Sequence, residues 1–138
     1  MSTKAVRLAL FYVALAWAAP AAACGFCIED RVAAVYDQAM VDHARAGNQS
    51  VAFFSIDGTE SLDEKTRLAI VAALEKAGAV RGSVKVAPEQ LACVLAYDPQ
   101  RVAIDKVSAI AGRALAARGI SLKALRVIGA DGRLREPL

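Results

Sequence analysis

Apolar positions in this chain follow three successive rhythms, and each predicts a different element. Residues 8–19 are an unbroken apolar run. Residues 28–46 place Ile28, Val32, Val35, Ala39 and Met40 at helical spacing with charges between them, which predicts an amphipathic helix ended by Gly47-Asn48. From Val51 onward, short apolar runs alternate with longer helical patterns. Val51–Ile56 reads as a strand closed by Asp57-Gly58, and residues 62–77 as a helix opened by a Ser61/Glu64 capping box and closed by Gly78. Ser83–Val86 alternates polar and apolar as a short strand, and Leu91–Tyr97 is a continuous apolar strand closed by Asp98-Pro99. Residues 103–118 carry Val107, Ile110, Ala111, Ala114 and Leu115 on one helical face, stopped by Gly119. Leu122–Ile128 is the last predicted strand, and Asp131-Gly132 leads into a polar tail, residues 131–138.

Without the first helix, the order is βαβ followed by βαβ, in two halves of similar length, residues 51–86 and 91–128. This predicts an α+β fold: a ferredoxin-like βαββαβ sandwich, residues 49–130, preceded by an extra N-terminal helix within residues 24–48. In that topology the first and third strands are central. Here both are apolar on both faces, although such a sheet ordinarily leaves one face bare. The extra helix is therefore expected to lie across the second face, with a homodimer through that face as the competing explanation.

The leading run then takes on a meaning. Lys4 and Arg7 precede it and Pro20 to Ala23 follow it, with an Ala-x-Ala site at Ala21-Ala22-Ala23. That layout predicts a signal peptide over residues 1–23 and a periplasmic or secreted product. The run is too short to span a bilayer comfortably, which takes roughly 20 residues. An uncleaved N-terminal anchor and lipoprotein anchoring through Cys24 are the alternatives at this stage. Removing 23 of 138 residues leaves 115, one ordinary domain, with no further segment long enough to cross a membrane. The leader takes two of the 17 basic residues and none of the 14 acidic ones, leaving 15 against 14. A near-neutral balance argues against a nucleic-acid partner, whose recognition rests on a basic patch.

Three cysteines are too few for a disulfide scaffold. Cys24 and Cys27 form a CxxC pair at the predicted mature N-terminus. Two thiolates at i and i+3 around a helix start converge on one point. They suit a soft ion, copper(I) first, with zinc or another soft metal as the alternative. A helix N-terminus also favours the thiolate form. An oxidised pair is the other state open to them. Cys93, in mid-strand, is either a small buried hydrophobe or, if it faces the N-terminal helix, a third sulfur. Met40 and His43 lie three residues apart on the first helix, about 20 Å from Cys27 at 1.5 Å per residue. They cannot join the cysteine site; Met40 is expected in the core and His43 at the surface. One histidine on a surface helix supports no nucleophilic triad, and no Walker loop or GxGxxG is present.

Ala96-Tyr97-Asp98-Pro99, Val102, the Ile104–Leu115 helix and Gly119-Ile120 resemble the second half of heavy-metal-associated domains, the ferredoxin-like modules of copper chaperones and metal-pumping ATPases. The resemblance spans residues 51–128. That family carries its metal on a Gly-Met-x-Cys-x-x-Cys loop after the first strand. The corresponding loop here, Ile56-Asp57-Gly58-Thr59-Glu60-Ser61-Leu62, keeps the glycine and has no cysteine, so those ligands are not carried over. The resemblance implies metal rather than electrons as the cargo of Cys24 and Cys27. The expected function is a non-enzymatic exported metal-binding protein or copper chaperone, with delivery to an exported copper enzyme and detoxification both compatible. A periplasmic thiol–disulfide oxidoreductase using the same pair is the alternative. A thioredoxin fold fits less well, because it needs a strand before the motif and only the leader precedes Cys24.

Overall fold

A computed structural model describes residues 27–137 of the chain; the predicted signal peptide and Cys24 lie outside the described residues. The elements run α1 (Ile28–Val35), α2 (Gln38–Ala46), β1 (Ser50–Asp57), α3 (Glu64–Ala77), β2 (Lys85–Ala87), β3 (Ala92–Tyr97), α4 (Ile104–Leu115), a 3-10 turn (Ala116–Arg118), β4 (Ser121–Ile128) and β5 (Leu134–Arg135). Every strand pair is antiparallel, and the sheet order is β2-β3-β1-β4-β5. β1 and β2 flank β3, and β3 and β4 flank β1, so each βαβ half spans one strand of the other. This is the ferredoxin-like arrangement expected from the sequence. Among the described residues, no helix is long and apolar enough to cross a membrane.

Strand periodicity sorts the core into two layers. Ala52, Phe54, Ile56, Cys93, Leu95 and Tyr97 pack against Ile70, Leu74, Val107, Ala111 and Leu115 of α3 and α4. Val51, Phe53, Ala92, Val94 and Ala96 point the other way and pack against Val35, Val41 and Ala44 of α1 and α2. The second face of the sheet is thus covered within one chain, as the two-sided apolarity of β1 and β3 required. Each fully buried Phe or Val on that face contributes about 1.5–3 kcal/mol of burial.

Four local details differ from the expectation. The single helix over residues 28–46 is two helices. The chain breaks at Tyr36-Asp37, where the Asp37 carboxylate accepts from the Met40 amide at 3.1 Å and from the Lys85 ammonium. That cap begins a new helix, and both helices pack on the same face of the sheet. The cap of α3 is Asp63, accepting from the Thr66 amide at 2.7 Å, rather than Ser61. Ser83 belongs to a turn, donating to the Val80 carbonyl at 2.6 Å, so β2 begins at Lys85. Residues 131–138 are not wholly a tail. The Gly132 amide donates to the Gly129 carbonyl at 2.8 Å and closes a hairpin that adds β5 to the edge of β4.

β4 contains a bulge. Phe53 pairs with Arg126 and Phe54 with Ala124, leaving Leu125 unmatched between them. The extra residue resets the alternation. Leu122 and Ala124 before it and Val127 after it all reach the α3–α4 core, while Arg126 is turned toward α1.

Candidate metal-binding site

α1 carries Cys27 at its N-cap, in extended backbone at φ −63° and ψ 149°. The Arg31 amide donates to the Cys27 carbonyl at 3.1 Å, closing the first turn. Cys27 is exposed. Glu29 and Asp30 fill that first turn, where carboxylates complement the helix dipole. Two devices fix α1 on the sheet. At its end, Val35 is buried in the second core layer. Near its start, the largely buried Arg31 guanidinium lies 3.4 Å from the Asp57 carboxylate at the end of β1. Asp57 is oriented in turn by the hydroxyl of buried Ser55, which donates to it at 3.0 Å.

Asp57 opens the loop that joins β1 to α3. The Arg31–Asp57 pair therefore brings the first turn of α1, one turn after Cys27, to the rim where that loop begins. The loop itself is built on a close approach. Gly58 has φ +93°, and a Cβ placed there would lie 2.0 Å from the Gly119 carbonyl oxygen. Its polar groups serve the turn: the Thr59 hydroxyl donates to the Ser61 carbonyl at 2.7 Å.

Cys93 takes the first of its two expected places, that of a small buried hydrophobe. It is fully buried and faces the α3–α4 core, the side of the sheet opposite α1. Burial in apolar surroundings pushes its thiol up to about 12, so it stays protonated and is no third sulfur for the pair. Met40 is half-buried against the second core layer, and His43 is exposed. Both line a cleft with Asp37, Gln49, Val80 and Lys85, apart from Cys27. Among the described residues, no group of three or more His, Cys, Asp and Glu side chains could hold a metal ion.

No family model matches the chain, and no curated protein matches it. Among solved structures, one similar chain is oxidized MerP from Ralstonia metallidurans CH34. It is 18% identical, with a TM-score of 0.44, and the match covers 55% of this chain and 96% of that one.

One part of the site's surroundings was not legible in the sequence. Arg126, turned toward α1 by the bulge, bridges Glu29 and Glu136 at 3.5 Å each and donates to the Leu125 carbonyl at 2.9 Å. It ties the start of α1 to the end of β5. A basic residue interrupting a strand was the only available signal, and its direction depended on a bulge that the sequence does not mark.

Proposed function

We propose that this protein is an exported soft-metal carrier, with copper(I) its first cargo and zinc the alternative, binding through the thiolates of Cys24 and Cys27. The observation that carries this reading is the mounting of Cys27. It stands exposed at the N-cap of a helix clamped to the sheet by buried Val35 and by the Arg31–Asp57 pair. The second CxxC sulfur lies three residues upstream. A site on a fixed helix start keeps its aim, whereas a thiol pair on a loose tail would not. Its exposure suits transfer, because an incoming donor sulfur can join the ion before the first one leaves. Binding would release the thiol protons, so affinity should rise with pH. The resemblance of residues 51–128 to heavy-metal-associated domains supports the same cargo class, and the leader pattern of residues 1–23 supports export to the periplasm. An exported copper enzyme is the recipient of matching chemistry.

The test is copper(I) competition against bathocuproine disulfonate. The Cys24→Ser/Cys27→Ser variant should lose tight binding while keeping the circular dichroism and melting temperature of the wild type; unchanged affinity would refute the assignment. Insulin-reducing activity in a wild type that binds no copper(I) would move the function to thiol–disulfide exchange.

A further inference from the structure

Next to Cys27 the surface is apolar. Ile28, Tyr36 and Leu134 are 39%, 45% and 62% exposed. Together with Val32 they line one groove of about 380 Å³ between α1 and β5, with Glu29 and Arg126 at its side. Two segments, α1 with its C-cap and β5, supply the apolar side chains, and β4 supplies Arg126. Tyr36 stacks on buried Phe53 with ring centroids 6.3 Å apart. Leu134 is fixed by its pairing with Ile128. Ile28 directly follows the N-cap cysteine. A preformed apolar groove beside a functional thiol is costly to leave in water unless something fills it.

The charges around the groove select the occupant. Arg126 is already matched by Glu29 and Glu136, and both of those carboxylates are strongly exposed. Arg31 is matched by Asp57 and Arg135 by Asp131. Asp30 adds a further exposed carboxylate at the thiol end. The rim near Cys27 is therefore acidic, while the floor is apolar. A second copy would bring acidic rim against acidic rim, which disfavours self-association. A basic partner gains on both terms.

We infer that this groove docks a polypeptide segment of the metal-exchange partner, one bearing apolar side chains flanked by lysine or arginine. This rests on the carrier reading of Cys24 and Cys27. Docking there sets the partner's donor atoms beside Cys27, so the groove decides which protein receives the ion.

The test titrates the ¹⁵N-labelled protein with a sulfur-free synthetic peptide, Lys-Lys-Leu-Gly-Leu-Lys-Lys, and with its counterpart in which glutamate replaces every lysine. The lysine peptide should shift the amides of Ile28, Val32, Tyr36 and Leu134 saturably, and its affinity should weaken as salt is raised. Ile28→Asp/Leu134→Asp should lower that affinity about tenfold or more, and Glu29→Gln/Glu136→Gln should lower it less and flatten the salt dependence. Equal binding of the glutamate peptide, shifts centred elsewhere, indifference to the groove variants, or a concentration-dependent dimer occupying the groove would each overturn the inference. Copper(I) competition on the same samples separates the two readings. The groove variants should keep wild-type copper affinity, and Cys24→Ser/Cys27→Ser should keep wild-type peptide affinity. Copper binding without peptide binding removes the groove alone, whereas peptide binding without copper binding removes the cargo alone.

Discussion

Cys93 offers a quantitative check on which thiols of this protein are chemically available. Its ordinary value of 9.0 is pushed up to about 12 by full burial. At about pH 7.5 an ordinary thiol at 9.0 is ionised in about one molecule in 30, and one at about 12 in about one in 30,000. Ionisation alone therefore slows alkylation about 1,000-fold, before steric exclusion is counted. In native protein, iodoacetamide followed by peptide mass mapping should find Cys93 unlabelled while exposed Cys27 is modified in the reduced protein. Denaturant should abolish the difference. The same burial carries a pH signature. A folded-state value raised above the unfolded one stabilises the protein fully below about pH 9, and that stability is lost as the pH climbs toward about 12. The loss amounts to about 4 kcal/mol at most. Tyr97 is also raised by burial and shares the alkaline slope, so the informative quantity is a difference. Cys93→Ala, at about 1 kcal/mol for one buried methyl-sized group, should melt at an alkaline pH less perturbed than the wild type does. Native labelling of Cys93 within tenfold of Cys27, identical alkaline slopes, or an altered metal stoichiometry in Cys93→Ala would refute the placement of this thiol.

Three further outcomes are expected. Phe53→Ala should cost about 3–5 kcal/mol in urea unfolding, because Phe53 is buried between β1 and α1 and stacks on Tyr36; a cost below about 1 kcal/mol would mean that the α1–α2 layer is not packed on the sheet. Gly58→Ala should destabilise by about 2 kcal/mol or more, since it combines φ +93° with a Cβ 2.0 Å from the Gly119 carbonyl oxygen; a neutral melting curve would contradict that approach. Asp63 is held below its ordinary 3.8 by its hydrogen bonds to Thr66. Its contribution is present above pH 3.8 and fades as the pH falls through the folded value, so Asp63→Ala should lower the melting temperature at pH 7 and show a shallower acid slope than the wild type.

Most of the fold was readable because its two kinds of pattern are strong. The runs Val51–Ile56 and Leu91–Tyr97 and the helical stripe through Val107 and Leu115 sit where they were expected. The two-sided apolarity of β1 and β3 also carried the position of the extra layer. That same property hid the direction of Cys93: when both faces of a strand are apolar, alternation no longer tells one from the other. The break at Tyr36-Asp37 lay within continuous helical periodicity, and its only mark was an aspartate three residues before Met40. β5 is two residues long, below the length at which periodicity exists, although Asp131-Gly132 is a hairpin signal. The groove beside Cys27 joins residues about a hundred positions apart through the β4 bulge and β5, so no local pattern contains it. The cysteine pair itself was visible at once as a motif; Cys27 is now fixed at a helix start, and Cys24 belongs to the chain upstream.

Both margins of the sheet end quickly. β2 is three residues long and is followed at once by Pro88, and β5 is two residues long with Pro137 close behind. Proline has no amide hydrogen to offer a newcomer, and so short a ladder gives an incoming backbone little to zip onto. Growth into filaments by strand-on-strand recruitment is thereby starved at each border. A molecule built this way can accumulate to high local concentration without its own sheet seeding aggregates.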